Sequence, residues 1–275
     1  MTEYNRTAIF RRMLDQPRYL YRPWIPLLKA LEGEVFAGLP LRPPVLDLAC
    51  GDGIFSWATF GQTLDVGADL DADSLGESAR IGMHRSLVRA DASALPFRTG
   101  SFQSIVSVCA IEHMDDISSV LRELSRVLAS GGMLNFTVPS VQFGDLLLAS
   151  RLWRTLGFPR RAEAYGARKN ARSHHVNVWT AKAWMEALAH ESLTVVQASY
   201  LLSPEIMALW SVTTSTPFKV AFLPFRIGRD RHWNWMDAVL KRLLLAGILP
   251  ALERAPGPDP ATGGYLFVAA RKAEQ

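Results

Sequence analysis

The chain has 275 residues, of which 49% are hydrophobic, a net charge of +4 and two cysteines. This favours one domain with additional segments, or one large and one small domain. The two cysteines are not spaced as a disulfide pair or as metal ligands, so we expect neither a disulfide framework nor a cysteine metal site. No export signal is visible, and we therefore expect a cytoplasmic protein. The longest uncharged run of the last long apolar segment, Leu243–Leu252, is too short to cross a bilayer.

The sequence of residues 2–31 predicts one or two helices. Apolar side chains recur at helical spacing on either side of Pro17, which interrupts the pattern. The first group is Ile9, Phe10, Met13 and Leu14, and the second is Trp24, Leu27, Leu28 and Leu31.

Residues 43–56 predict a buried strand, a glycine turn and the start of a helix. The strand follows Pro43-Pro44, and Gly51 and Gly53 lie in the turn, where a ligand can approach the backbone. Asp47 and Asp52 make the turn acidic, which favours a ligand with a cationic part over a pyrophosphate. An ordinary tight turn is the alternative for this stretch taken alone.

The alternation of strand and helix continues to residue 139. By resemblance to a known family of α/β enzymes, a second strand is expected to end at Asp69, and a third strand with its following loop is expected at Arg89–Phe97. A fourth strand is expected after Ser101-Phe102-Gln103. The series ends with a helix over Leu121–Leu128, a glycine stop at Gly131-Gly132 and a fifth strand over Met133–Pro139.

Four motifs in register over roughly residues 43–140 resemble those of the class I S-adenosylmethionine-dependent methyltransferases, in particular the type 11-like small-molecule enzymes. The resemblance implies an α/β fold with a doubly wound, Rossmann-like sheet of seven strands, the last antiparallel, with helical inserts. Two residues depart from the family pattern: Ala49 replaces a turn glycine, and Gln103 replaces an acid that opens a strand. Ala49 matters only if its φ is positive.

The same resemblance implies S-adenosylmethionine as the cofactor. An acid at Asp69 suits two ribose hydroxyls, and Asp91 corresponds to the acid beside the adenine amine, with Ala92 next to the ring. The implied cofactor-binding residues are Asp47, Ala49, Cys50, Gly51, Gly53, Asp69, Leu70, Asp91, Ala92, Val108 and Cys109. We expect no metal, because Asp69-x-Asp71-x-Asp73 lacks the glycine and glutamate of a calcium loop.

The boundaries expected from this alignment are a core of residues 43–202 and 261–275. Residues 1–42 either cover the cofactor and substrate cleft, as such helices do in the family, or pack on the sheet. An insert at 140–172 has a helix-like start and then an arginine-rich turn, and lies where the family places substrate-recognition elements. A second insert at 203–260, rich in Pro, Trp and Phe, either covers the substrate cleft or packs as core.

Three histidines are candidate general bases: His113, His174 and His175. His113 follows the fourth strand, but Glu112 and His113 could equally begin the next helix. His174 and His175 precede the helix that Thr180 caps, and adjacent residues on an extended segment point to opposite sides, so one of them at most faces the cleft. For the same reason they make a poor metal pair.

Residues 217–252 carry a further prediction, a cover that also contacts a membrane. Trp233 and Trp235 precede a segment with an apolar helical face and two basic residues, Lys241 and Arg242, which is the usual composition of an interfacial helix. Packing of that face on the domain is the commoner alternative.

The sequence therefore predicts a cytoplasmic enzyme, conceivably membrane-peripheral, that transfers a methyl group from S-adenosylmethionine to a small or lipid-like apolar acceptor. The alternative is a catalytically weak cofactor-binding or membrane-peripheral module on the same fold. No nucleic acid is expected as partner, because no Asn-Pro-Pro-Tyr-type motif follows the fourth strand. The arginine clusters are equally compatible with a solvated face.

Overall fold

The computed structural model describes residues 4–215 and 234–274, with the side chains of 234–236 excepted. The described residues form a sheet flanked by helices on both faces. Strands β1 to β7 are Val45–Leu48, Leu64–Asp69, His84–Arg89, Phe102–Val108, Leu128–Pro139, Leu193–Leu201 and Tyr265–Lys272. They lie in the order β3-β2-β1-β4-β5-β7-β6, and β7 is antiparallel to both neighbours. The seven-stranded doubly wound fold with a reversed last strand is thereby confirmed.

Helices of the first half connect these strands or precede them. They are α1 Arg6–Leu14, α2 Pro17–Leu20, α3 Trp24–Ala37, α4 Ile54–Thr59, α5 Ala72–Ile81 and α6 Ile117–Val127. A short 3₁₀ turn, Ile111–His113, follows β4. In the second half come α7 Phe143–Leu146, α8 Leu148–Thr155, α9 Pro159–Arg172, α10 Ala181–His190, α11 Pro204–Thr213 and the helix Asn234–Arg254, here labelled α12. No described helix has the length and apolar content needed to cross a membrane.

The core has one apolar cluster on each face of the sheet. On one face α1, α3, α11 and α12 pack together, with Phe36 meeting Phe267 of β7 edge-on at a centroid distance of 5.7 Å. On the other face α6 and α10 cover the central strands, and Trp184 lies 5.2 Å from Phe136 of β5. Both helix sets therefore fix the strand ends that carry the candidate site.

Three sequence-based boundaries were wrong. The third strand ends at Arg89 instead of beginning there, because His84–Arg89 is a mostly polar edge strand without an apolar run. Gly131 and Gly132 lie inside β5, which pairs with β4 from Leu128 and has a register shift before Met133.

The arginine-rich segment of the 140–172 insert is also no turn. It forms the helix α9, which begins at Pro159. Proline is favoured in the first turn of a helix, and alanine and arginine are strong helix formers, so the segment has local reasons to be helical.

Candidate functional site

A cavity of about 410 Å³ lies at the carboxyl ends of β1, β2 and β3, bounded by the turn after β4. Ligand pockets in proteins commonly measure about 300–1,000 Å³, so the space suits a nucleoside-sized ligand. Five of the predicted cofactor residues line it: Ala49, Asp69, Leu70, Asp91 and Ala92. Its far wall includes His113, Met114 and Val120.

Two carboxylates give this cavity its acceptor groups. Asp69 Oδ2 accepts a 2.8 Å hydrogen bond from the Gly51 amide, and its Oδ1 accepts one of 2.9 Å from the Asp71 amide. Each carboxylate oxygen has a second lone pair, so Asp69 retains capacity for ligand hydroxyls. Asp91 accepts from the amide and hydroxyl of Ser93, and these hydrogen bonds lower the pKa of Asp91. Both side chains offer acceptor oxygens that suit a ligand rich in donors, such as an adenosine.

In the turn after β1, every second residue from 49 to 53 has a left-handed backbone conformation. Ala49, Gly51 and Gly53 have φ values of +55°, +54° and +74°. A side chain at Gly53 would collide with Ser78 of α5, whereas one at Gly51 would meet open space. Ala49 therefore does occupy the positive φ in which its departure from glycine matters, at a cost of about 1–2 kcal/mol.

The acids Asp47 and Asp52 do not present free carboxylates to the cavity. Asp47 is buried and accepts from Ser56 Oγ at 2.5 Å, and its Oδ2 lies 2.8 Å from Nε2 of His84. Asp52 accepts from the Arg18 guanidinium and the Tyr19 hydroxyl, both at 2.8 Å. The acidity of the turn is thus balanced within the chain, and the argument for a cationic ligand from these two residues does not hold.

A second polar cluster lies beyond the cavity, at the carboxyl ends of β4 and β5. Glu32 of α3 is fully buried, and its Oε1 accepts from Cys109 Sγ at 2.9 Å and from Thr137 Oγ1 at 2.6 Å. Its Oε2 lies 3.1 Å from Lys29 Nζ, an ion pair without hydrogen-bond alignment. Burial alone would lower the pKa of Lys29, but the neighbouring Cys109 and Glu32 raise it overall, so this lysine is charged.

The two cysteines differ in their surroundings. Cys109 follows Val108, whose carbonyl accepts from Lys29, and has a φ of +53°. Burial, and then the Glu32 charge, raise the pKa of the Cys109 thiol. Cys50 lies behind the glycine turn, and burial raises its thiol pKa as well. Both are neutral thiols at physiological pH and act as hydrogen-bonding or packing groups.

Glu112 is the most unusual group near the site. Its side chain is 1% exposed, and neither carboxyl oxygen has a hydrogen-bond partner among the described residues. Burial raises the pKa of Glu112 to about 8. Nε2 of His113 lies 3.7 Å from Oε1 of Glu112, beyond hydrogen-bond distance, and His113 in turn lines the cavity. A neutral carboxyl with free donor and acceptor capacity therefore lies directly behind the cavity wall.

The structure brings His113 and His175 together and directs His174 away from them. The rings of His113 and His175 are 5.7 Å apart, and His113 Nδ1 lies 2.8 Å from the backbone oxygen of His174. Burial, followed by the proximity of His113, lowers the pKa of His175 to about 4, so its imidazole is neutral at physiological pH. The His174 side chain is exposed and contributes only its carbonyl to this contact.

The sequence did not identify Lys29, Glu32 or Glu112 as candidate site residues. Lys29 and Glu32 resemble ordinary charged positions of a helix, yet their neighbours in α3 are almost all apolar and buried. Charged side chains three residues apart within an apolar helix are a signal for a buried pair, since such groups are seldom buried unpaired.

Comparisons with known proteins agree with this geometry. Residues 46–136 match the family model described as "Methyltransferase domain". Over 137 residues the chain is 33% identical to a malonyl-[acyl-carrier protein] O-methyltransferase of Erwinia billingiae, covering 48% of this chain and 53% of that protein. Over 157 residues it is 29% identical to a ubiquinone/menaquinone biosynthesis C-methyltransferase of Desulfotalea psychrophila, covering 52% and 64%. The chain thus spans about a third to just under two thirds of the length of the curated relatives it matches.

Solved structures share the fold at low identity. A methyltransferase from Thermotoga maritima that depends on S-adenosylmethionine superposes with a TM-score of 0.54 at 16% identity, over 98% of this chain and all of that one. A geranyl diphosphate C-methyltransferase from Streptomyces coelicolor, solved with S-adenosyl-L-homocysteine, gives 0.51 at 16% identity over 94% and 84%. Residues 46–136, which include Asp69 and Asp91 of the cavity, thus match a methyltransferase domain, and the chain has the fold of solved methyltransferases, one of which depends on S-adenosylmethionine.

Proposed function

We propose that this protein transfers the methyl group of S-adenosylmethionine to a small or lipid-like apolar acceptor in the cytoplasm. The observation that carries the proposal is the carboxyl of Glu112, which has no hydrogen-bond partner among the described residues. It lies 3.7 Å from Nε2 of the cavity residue His113 and close enough to Tyr265 to add to the rise in the pKa of that residue that burial chiefly causes. A buried polar group without a partner costs free energy, so its retention is best explained by a partner that arrives with the substrate.

An aromatic cluster supports an apolar acceptor. Phe143 is its centre, with ring centroids of His175, Trp210 and Tyr265 at 5.1, 5.6 and 5.9 Å. An acceptor bound here would have apolar surroundings and few polar contacts, the arrangement common in small-molecule sites. Relatives named for a malonyl-[acyl-carrier protein] and for quinone biosynthesis carry out O- and C-methylation, and these are the two reaction types we propose to test.

The cofactor supplies the activated methyl group, and the protein must orient the acceptor and accept a proton. We propose the predicted cofactor residues as the binding set, with Asp69 and Asp91 holding the adenosine. His175 is neutral at physiological pH and can accept a proton without first losing one. Glu112 stays protonated to about pH 8 and can donate a hydrogen bond to an oxygen of the acceptor.

The helices of residues 1–42 are proposed as a cover for the cofactor side. Arg18 and Tyr19 of α2 donate hydrogen bonds to Asp52 in the glycine turn, and this contact supports a cover over the proposed cofactor site. The membrane cover proposed for 217–252 has weaker support. Residues 216–233 lie outside the described residues, and Leu240, Leu244 and Ile248 of α12 are buried, which favours packing of that face.

The proposal is tested with labelled S-adenosylmethionine and host lipid and metabolite extracts, read by mass spectrometry. Wild type is expected to label an apolar product. His113→Ala, His174→Ala and His175→Ala are expected to keep cofactor affinity, with His175→Ala losing about a hundredfold in turnover and His174→Ala serving as the exposed control. Binding of the cofactor without any labelled product would favour the alternative, a catalytically weak cofactor-binding module.

A further inference from the structure

The helical hairpin of residues 148–172, made of α8, a short connection and α9, is held firmly on the domain. A Cβ added at Gly166 would lie 2.9 Å from the Cα of Gly144 in α7, so the two backbones are in close contact. Ser150 Oγ donates to the Ala162 carbonyl at 3.3 Å, and Arg151 donates to the carbonyl of Pro204 at 3.1 Å. Only Ser150, Ala162 and Gly166 of the two helices are buried. We call this segment the basic hairpin.

The tip of the basic hairpin exposes large apolar side chains. Leu152, Leu156 and Phe158 are 54%, 64% and 46% exposed. Leu152 and Leu156 are four residues apart and share one face of α8, and Phe158 follows after the turn at Gly157. Isolated exposed leucines are ordinary, but three large apolar residues at one projecting turn form a patch that favours contact with another surface.

A guanidinium and two aromatic rings flank this patch. Trp153 and Phe158 meet edge-on at 5.8 Å, and the guanidinium of Arg161 lies 5.1 Å from the Trp153 centroid and 5.0 Å from that of Phe158. Aromatic rings beside arginine are typical of segments that lie at the boundary between water and hydrocarbon.

Charge is concentrated in the same hairpin. Seven of the thirty basic residues of the chain lie within 148–172, against the single acid Glu163, although the whole chain has a net charge of only +4. The rest of the chain is therefore net negative. Asp145 pairs with Arg154, and Glu205 lies near Arg151, so two of these basic residues have an acidic neighbour from outside the hairpin. The basic residues are Arg151, Arg154, Arg160, Arg161, Arg168, Lys169 and Arg172.

We propose that the basic hairpin docks on an anionic lipid surface, with Leu152, Leu156 and Phe158 inserted and the arginines at the headgroups. An acidic protein or a nucleic acid would also meet the charge, but neither needs three large apolar side chains at one turn. Each basic residue close to an anionic membrane contributes on the order of 1 kcal/mol of attraction, and the apolar tip adds burial.

The position of the hairpin gives this docking a consequence. His175 follows α9, and its Nδ1 lies 3.0 Å from Asn170 Oδ1 within α9. The end of α9 that is far from the tip is thus joined to the proposed acceptor site, so docking through the tip would hold that site within about 20 Å of the lipid, the length of α9. Membrane binding requires neither cofactor nor turnover, and it can be tested apart from the proposed function.

Flotation of the full chain with lipid vesicles tests the proposal. Wild type is expected to float with vesicles of phosphatidylcholine and phosphatidylglycerol at low salt and to remain at the bottom with phosphatidylcholine alone. The double variant Leu156→Glu, Phe158→Glu should lose at least about tenfold in vesicle partitioning. The matched control is Met185→Glu, Val196→Glu, which adds the same charge at exposed apolar positions on α10 and β6. It should float as wild type does.

A charge series completes the test. Arg160→Gln, Arg172→Gln should reduce partitioning on the order of tenfold, whereas Arg98→Gln, Arg271→Gln, which removes two exposed charges elsewhere, should not. A wild type that stays at the bottom with anionic vesicles overturns the proposal. It is also overturned if Leu156→Glu, Phe158→Glu floats normally while the charge variant does not, because the hairpin would then recognise polyanions without insertion.

Discussion

The two polar regions at the carboxyl edge of the sheet are built in opposite ways. Around the proposed cofactor cavity the acids are exposed or half-buried, and backbone amides donate to them, as the Asp71 amide does to Asp69. In the cluster beyond β4 the charges are buried, and they are held by side chains from distant parts of the chain, as Thr137 holds Glu32. The first region keeps its charges solvated until a ligand arrives. The second depends on internal pairing, so it should respond far more strongly to the loss of one charge.

The largest effect is expected at Glu32. Glu32→Gln leaves the Lys29 charge without its counterion in a buried site, which should lower the free energy of unfolding by about 3 kcal/mol. Glu34→Gln is the matched control, since Glu34 lies one half-turn along in α3, is 32% exposed in its side chain and pairs with Arg6. It should cost less than about 1 kcal/mol. Urea denaturation measures both; equal losses would show that the cluster beyond β4 is not electrostatically different from the surface.

A loss of binding is expected at Asp69. Asp69→Ala removes the acceptor for the predicted ribose hydroxyls and the partner of the Gly51 amide, and should weaken the affinity for S-adenosylhomocysteine about a hundredfold. Asp73→Ala, an exposed acid in the first turn of α5, is the control and should bind as wild type does. Calorimetry decides the matter. Unchanged affinity in Asp69→Ala would remove this residue from the cofactor site.

Replacing Glu112 should have the opposite effect on the free energy of unfolding from replacing Glu32, because the Glu112 carboxylate has no hydrogen-bond partner in the described part of the chain. The unfolded chain ionises this group near its ordinary pKa of 4.5, whereas the folded chain holds the proton until about pH 8. The folded state thus binds more protons between these values, and stability falls as the pH rises through that window. Glu112→Gln cannot ionise, so its stability should match that of wild type near pH 4 and should exceed it by a growing margin as the pH rises toward 8. Melting curves across this range measure the difference; a constant offset would contradict the raised pKa.

The same contrast explains what the sequence could predict. The cofactor side is local in sequence: a strand, a turn and a helix place Ala49, Gly51 and Gly53 together, so short motifs are enough to recognise it. The proposed acceptor side joins Glu32, Glu112, His175 and Tyr265, which are separated by dozens of residues. No periodicity or spacing in a single sequence encodes such a meeting. The predictions for β3 and α9 were wrong for a related reason. The edge position of β3 allows a polar strand, and local helix propensity makes α9 helical, so neither element follows the apolar pattern.

The smallest predicted effect concerns a backbone conformation that both regions share. Ala49 after β1 and Cys109 after β4 have φ values of +55° and +53°. Ala49→Gly should relieve about 1–2 kcal/mol of strain against a loss of about 0.5–1 kcal/mol from the greater freedom of the unfolded chain, a net gain of about 0.5 kcal/mol. Cys109→Gly relieves similar strain but removes the thiol that donates to Glu32, so it should destabilise.

Urea denaturation of both variants, with Ala187→Gly in α10 as a helical control, tests this difference. The control has no left-handed φ and should lose about 1 kcal/mol. If Ala49→Gly also loses stability, the turn after β1 gains no relief from glycine, and the departure of Ala49 from the family pattern has no energetic consequence. If Cys109→Gly gains stability, the thiol contributes less to the buried cluster than its 2.9 Å contact with Glu32 implies. A gain of stability in Ala49→Gly and a loss in Cys109→Gly would show that the strained backbone at Cys109 is offset by the contact of its thiol, whereas the strain at Ala49 has no such compensation.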